Sequence, residues 1–293
     1  MDTNRRFPLI LSSFWIKIIA LITMTVDHIG FLFFNTHDSI PLRCIGRIAF
    51  PLFCFMIVEG VLYTKSFKKY ALRLGIMASV ISLAVIGDEL FHISGGELRS
   101  EGNIYIDLLL GALAVYFLKQ NKWYYKLLSI IPLGLSIASF IASSMEWCGC
   151  HGQILWYPFF LRGQYDWYGV LMIILFYVAH LLKDVFIKMN SATTGINVEN
   201  YKDTNIERNA LNIFSVIMII SVTLLHYFIG MIMPAQYVPW MLKVQLCAMI
   251  SGVFVLLYNG KRGYNKKWFQ YGSYLYYPVH LIILYSIYLI TLI

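Results

Sequence analysis

Charge is scarce in this sequence. Only 13% of its 293 residues are Asp, Glu, Lys or Arg, where a soluble domain carries about a quarter. Runs of alternating polar and apolar residues are also missing, which argues against a transmembrane β-barrel. No Walker loop, HExxH or GxSxG motif occurs, so nucleotide hydrolysis, zinc peptidase and serine hydrolase chemistry lose their usual signatures. No internal repeat is visible, which withholds support from an inverted-repeat transporter. No stretch resembling a cleaved leader precedes the first apolar run, so that run is expected to be a retained anchor. Cysteines number five, an odd count. Cys44, Cys54 and Cys247 lie in or beside apolar runs as packing residues. The cluster CGCH at 148–151 is a weak metal motif without a partner cluster, so no metal is expected.

What is present is hydrophobicity. Apolar residues make up 59% of the chain and mean hydropathy is +0.67. Runs long enough to cross a bilayer recur throughout, and the pattern predicts an all-α polytopic membrane protein of about nine spans. They fall near 14–34, 44–63, 70–91, 104–118, 125–143, 167–187, 211–231, 238–258 and 271–292. With the N-terminus cytoplasmic and the C-terminus outside, all but five of the 23 Lys and Arg fall on the inner side; the five are Arg43, Arg47, Arg99, Arg162 and Lys243. This split follows the positive-inside rule. The net charge of +8 therefore reflects topology, and no nucleic-acid partner is expected. The polar segment 188–210 reads as a cytoplasmic linker, partly disordered, within a single transmembrane domain covering 1–293; it marks off a six-span front part from a three-span back part. The aromatic segment 144–166 reads as interfacial or re-entrant.

Ionisable groups inside such spans are costly and usually face a bundle interior or a water-filled cavity. Span 1 holds Asp27 and His28 in TMTVDHIGF. Arg47 and Glu59 lie in span 2. Asp88, Glu89, His92, Asn103 and Asp107 gather at the outer ends of spans 3 and 4, where a solvated rim explains them as well as a site does. His180, His226 and His280 occupy spans 6, 7 and 9. Arg43 and Arg47 are four apart and share a helix face, as do Tyr276 and His280 around Pro278, which is expected to kink its helix. Lys17 precedes His28 by eleven residues, which returns it to the same face about 16 Å away along the axis. One face of span 1 thus carries a cation at its inner end and an imidazole near its middle. That suits an anionic donor below and chemistry above.

Four stretches together resemble the TraX family of bacterial membrane proteins: KIIALITMTVDHIGFLFF (17–34), LRCIGRIAFPLFCFMIVEGVLYTKSFKKYALRL (42–74), DWYGVLMIILFY (166–177) and YNGKRGYNKKWFQYGSYLYYPVHLIILY (258–285). The family's namesake is associated with N-terminal acetylation of a pilin subunit. The resemblance implies a multi-pass protein of the bacterial inner membrane that moves an acetyl group from cytoplasmic acetyl-CoA to an amine or hydroxyl at the outer side. Other multispan acyltransferases are similar in their first helix, which carries a basic residue ahead of a histidine at this spacing, although there the residue is arginine. On this reading Lys17, Lys65, Arg73, Lys261 and Arg262 meet the CoA phosphates. His28 is the general base or, as the second option, an acetylated nucleophile; Asp27 shapes the site with Arg47, and Arg47, Tyr276 or His280 stabilise the oxyanion. The alternative is a proton-coupled permease built on the same Asp, His and Arg residues.

Overall fold

The computed structural model describes residues 8–92, 102–147, 156–202, 204–233 and 239–291. Helices account for nearly all of them, and no β-strand forms among the described residues; one isolated backbone bridge joins Leu11 to Tyr258. The helices are α1 Ser13–Phe33, α2 Thr36–Gly46, α3 Ala49–Tyr63, α4 Phe67–Phe91, α5 Ile104–Lys119, α6 Trp123–Leu128, α7 Ile130–Trp147, α8 Asp166–Thr194, α9 Asn205–Ile232, α10 Pro239–Gln245, α11 Ser251–Leu256 and α12 Lys267–Thr291.

Among the described residues, six helical stretches are long and apolar enough to cross a bilayer: Ser13–Phe33, Thr36–Tyr63, Phe67–Phe91, Trp123–Glu146, Phe159–Thr194 and Asn205–Ile232. The other three expected spans differ for physical reasons. Helix α5 has only 16 residues, a rise of about 24 Å against a hydrocarbon core of about 30 Å. The run 238–258 is interrupted by a 3₁₀ segment, Leu246–Ile250, between α10 and α11. Helix α12 has the length but dilutes its apolar residues with tyrosines, Pro278 and His280. Large side chains point outward along the helices; Leu83, Phe91 and Ile232 are 66%, 76% and 79% exposed. Water would penalise such a surface, and hydrocarbon does not.

The second expected span is two helices in series. Pro51 lacks an N–H and its ring crowds the carbonyl four residues back, which is that of Arg47. The chain therefore turns between α2 and α3, and Arg47 N–H and Ile48 N–H bond to the Arg43 and Ile45 carbonyls at 3.0 and 3.2 Å. Asn35 caps α2, accepting from Asp38 N–H at 3.0 Å. The expected linker 188–210 is instead largely ordered helix: α8 continues to Thr194 and α9 starts at Asn205. Tyr201 is buried and bonds Thr194 Oγ1 at 2.8 Å, while Lys183 reaches Glu207 at 2.8 Å. These contacts supply the ordering that polar composition alone withholds.

The chain divides into two compact units. One comprises Met1–Met56, Leu175–Phe228 and Pro239–Ile293; the other comprises Ile57–Ile174 and Ile229–Val238. The division does not fall at the 188–210 segment. In the first unit α1 packs on α2 and α12, and an aromatic cluster forms where Phe55 meets Phe176 and Tyr258 edge-on at 5.4 and 5.2 Å. In the second, α5 packs on α4 and α7.

Candidate functional site

The sequence NGKRG at 259–263 forms a loop stitched to the start of α1. Asn259 N–H donates to the Leu11 carbonyl at 2.8 Å, and the N–H groups of Ser13 and Phe14 donate to the carbonyls of Lys261 and Arg262 at 2.8 and 3.2 Å. The first donors of α1, orphaned by helix geometry, are thereby satisfied. Gly260 and Gly263 have φ of 74° and 66°, a region costly for other residues. A Cβ on Gly260 would run into the Arg208 guanidinium, and one on Gly263 into Ser12. The Lys261 and Arg262 side chains are left exposed. Lys17, one turn into α1 and only partly exposed, feels the charge of Arg262. Arg208, 5.3 Å over the Tyr258 ring, joins this cationic group. Sequence reasoning counted it only toward topology, and nothing in its local pattern placed it against Gly260.

At the other end of α1, Asp27 is buried and carries two arginines. Arg43 donates to its Oδ2 at 2.8 Å, and Arg47 donates to both oxygens at 3.1 Å. Arg47 also reaches Gln245 Oε1 at 3.5 Å. Gly46 makes this approach possible, because a Cβ there would overlap the Asp27 side chain; a Cβ on Gly30 would likewise come within 2.8 Å of the Leu42 Cβ. Arg43 is the missed member of the group. Its spacing from Arg47 was the signal.

His28 and His280, from α1 and α12, are in contact. His280 Nε2 lies 3.1 Å from His28 Nδ1, with ring centroids 4.9 Å apart. His28 Nδ1 also faces the Met24 carbonyl at 2.9 Å, and His280 Nδ1 the Tyr276 carbonyl at 2.8 Å. A carbonyl can only accept, so each Nδ1 carries the hydrogen. That leaves Nε2 as the basic atom of each neutral ring. In His280 this atom faces His28. In His28 it remains for another partner. Tyr276 stacks on His280, with centroids 5.1 Å apart at 15°, and its hydroxyl lies 2.8 Å from Thr25 Oγ1. Thr25 donates to the Leu21 carbonyl at 2.9 Å, so the Tyr276 hydrogen goes to Thr25. Tyr276 therefore braces α12 on α1, and its hydrogen is not free for an oxyanion.

Lys65 and Arg73 belong to the second unit. In that unit three of the five residues read as a solvated rim are interior ones, Asp88, Asn103 and Asp107 being 2%, 1% and 0% exposed, while Glu89 is half-buried and His92 exposed. Asn103 caps α5 and donates to the Ala78 carbonyl at 2.8 Å and Ser82 at 3.1 Å. Asp107 Oδ2 accepts from the N–H groups of Gln164 and Tyr165 at 2.8 Å each, and Arg162 pairs with Glu146. They serve as internal ties holding the 162–166 segment. Cys148, Cys150 and His151 of the CGCH motif lie outside the described residues. Among the described residues no group of three or more His, Cys, Asp or Glu gathers as a metal site would.

Together these features define a multi-span helical membrane protein. Its first helix links a cationic loop to a buried His–His pair and an Asp–Arg–Arg cluster. The family model for the TraX protein matches residues 12–201, and the chain belongs to the TraX family. A probable fimbrial assembly protein FimC, serogroup H1, of Dichelobacter nodosus is 34% identical over 112 residues, covering 36% of this chain and 45% of that relative's length. The chain thus matches less than half of that relative. No solved structure matches it.

Proposed function

We propose that the protein is a membrane-embedded acyltransferase that moves an acetyl group from cytoplasmic acetyl-CoA to an amine or hydroxyl acceptor at the outer side. The observation that carries this reading is the first helix. Its Lys17 end is stitched through Ser13 and Phe14 to the glycine-turned loop that carries Lys261 and Arg262 and lies against Arg208, and its His28 lies about 16 Å further along the axis against His280. Cations crowded together favour an anion, and arginine binds phosphate through paired N–H groups. Acetyl-CoA has the matching form, with phosphates at one end and a thioester at the end of a long arm.

His28 Nε2 then takes the proton of the acceptor as it attacks the thioester carbon. The Nδ1–H held by the Met24 carbonyl and by His280 keeps this ring in the basic tautomer and spreads the charge it gains. The Arg43 and Arg47 guanidinium groups outnumber Asp27 and leave the neighbourhood positive, which favours the oxyanion of the tetrahedral intermediate. The chemistry supplied by the CoA thioester is a good leaving group; the protein supplies position, proton acceptance and field. The relative's name ties that protein to fimbrial assembly, and a fimbrial or pilin-like subunit is accordingly the first acceptor to try.

CoA binding tests the donor half. Replacing Lys261 and Arg262 with alanine is expected to weaken CoA binding by about 1.5–3 kcal/mol for each charge-assisted contact removed in protein that remains folded. An unchanged dissociation constant would remove the NGKRG loop from the site.

A further inference from the structure

Two thiols outside the proposed chemistry meet in the first unit. Cys44 lies on α2 between Arg43 and Arg47, and Cys247 lies on the 3₁₀ segment Leu246–Ile250, two residues after Gln245. They are 203 positions apart in sequence, yet their Sγ atoms lie 2.7 Å apart. Both side chains are half-buried, unlike Cys54, which is fully buried. We infer that Cys44 and Cys247 form a disulfide in the mature protein, covalently tying α2 to the segment before α11.

Three observations converge on this bond. A disulfide needs two segments that already pack together with their sulfurs within reach; α2 packs on the 3₁₀ segment and the sulfurs meet, while each side chain keeps some exposure to an oxidant. The charge distribution assigns Arg43, Arg47 and Lys243, which flank the two cysteines in sequence, to the outer side of the membrane, where disulfides persist. The bond also has a local consequence. Gln245 accepts from Arg47, and Arg43 and Arg47 hold Asp27. A link at Cys44 and Cys247 fixes both polypeptide segments of that network relative to each other. The reaction is thiol–disulfide exchange with a disulfide-bearing donor on the outer face. One thiolate attacks the donor disulfide and releases one donor thiol. The second thiolate then attacks the mixed disulfide and releases the other. The two sulfurs join, their two protons end on the donor thiols, and the donor disulfide takes up the two electrons.

The test is peptide mapping of the full-length protein, alkylated with a maleimide in intact cells before lysis and kept free of reductant. The expected result is a Cys44–Cys247 crosslinked peptide, lighter by two hydrogens than the sum of its parts, with both cysteines alkylated only after reduction. In Cys44→Ser protein, Cys247 should become alkylated without reductant. Alkylation of both cysteines in the unreduced wild type would overturn the inference. So would linkage of either one to Cys54, Cys148 or Cys150, or a Cys247 that stays blocked in Cys44→Ser.

Discussion

Asp27 shows how a carboxylate is tolerated in a membrane helix. It is 8% exposed and takes three hydrogen bonds from two arginines. Removing one partner of a buried ion pair typically costs about 3–5 kcal/mol, and here the loss would strip the same counter-charge from two guanidinium groups. Asp27→Ala is therefore expected to lower the unfolding temperature sharply. Asp27→Asn keeps an acceptor and should lower it less, which thermal unfolding in detergent would show. Equal losses for the two variants would mean that the charge, rather than the hydrogen bonds, carries the effect. Tyr276 gives a second contrast. Its hydrogen goes to Thr25 and its ring stacks on His280. If it only braces the site, Tyr276→Phe removes one hydrogen bond worth about 1 kcal/mol and acyl transfer falls less than tenfold. Loss of an oxyanion donor would instead cost about 10²–10³ in rate. Measured turnover of Tyr276→Phe decides which description holds.

The helices explain why these side chains meet. Gly46 lets α2 lie against α1 at Asp27, and Pro51 turns the chain between α2 and α3 so that Arg43 and Arg47 both face inward. Gly46→Ala is expected to force α2 off α1 and to destabilise the protein, the clash outweighing the roughly 1 kcal/mol by which alanine normally favours a helix over glycine. Wild-type stability in that variant would show that the contact is loose. In the second unit, Asp107→Ala would leave two partly buried N–H groups, of Gln164 and Tyr165, without their acceptor. At about 1–3 kcal/mol for each unsatisfied group, it should lower the melting temperature, and Asp107→Asn should be milder.

Much of this was legible in the sequence at the level of elements. Apolar runs give helices, i, i+4 spacing put Arg43 beside Arg47, and the eleven-residue interval aligned Lys17 with His28. Contacts between distant elements were not legible. Nothing local tells Arg208 that it will meet Gly260, or His280 that it will meet His28, because those pairings depend on how α9, the NGKRG loop and α12 pack. Polarity also misled in both directions. Asn103 and Asp107 stand where a wet rim explains polarity as well as a site does, yet they are interior ties, while 188–210 reads as a loose linker and is mostly helix.

At the scale of the whole molecule, the account requires a donor end and an acceptor end on opposite sides of the membrane. Cysteines introduced at Asn200 and Lys243, both exposed, in protein otherwise lacking reactive thiols should label from the cytoplasm and from outside, respectively. Labelling of both from one side would break the topology on which transmembrane transfer depends.

The most direct measurement of the central claim is CoA release from acetyl-CoA by purified wild-type, His28→Ala and His28→Gln proteins, each supplied with a pilin-like acceptor peptide. The account predicts acceptor-dependent release by the wild type. It predicts a loss of roughly a hundredfold or more in both variants, with CoA affinity preserved, because glutamine keeps a hydrogen bond but cannot take up a proton. Full turnover by His28→Gln would contradict the assignment of the base and point to His280. A folded, CoA-binding wild type that consumes no thioester with any acceptor amine or hydroxyl would contradict acyl transfer itself and favour a proton relay through the same two histidines.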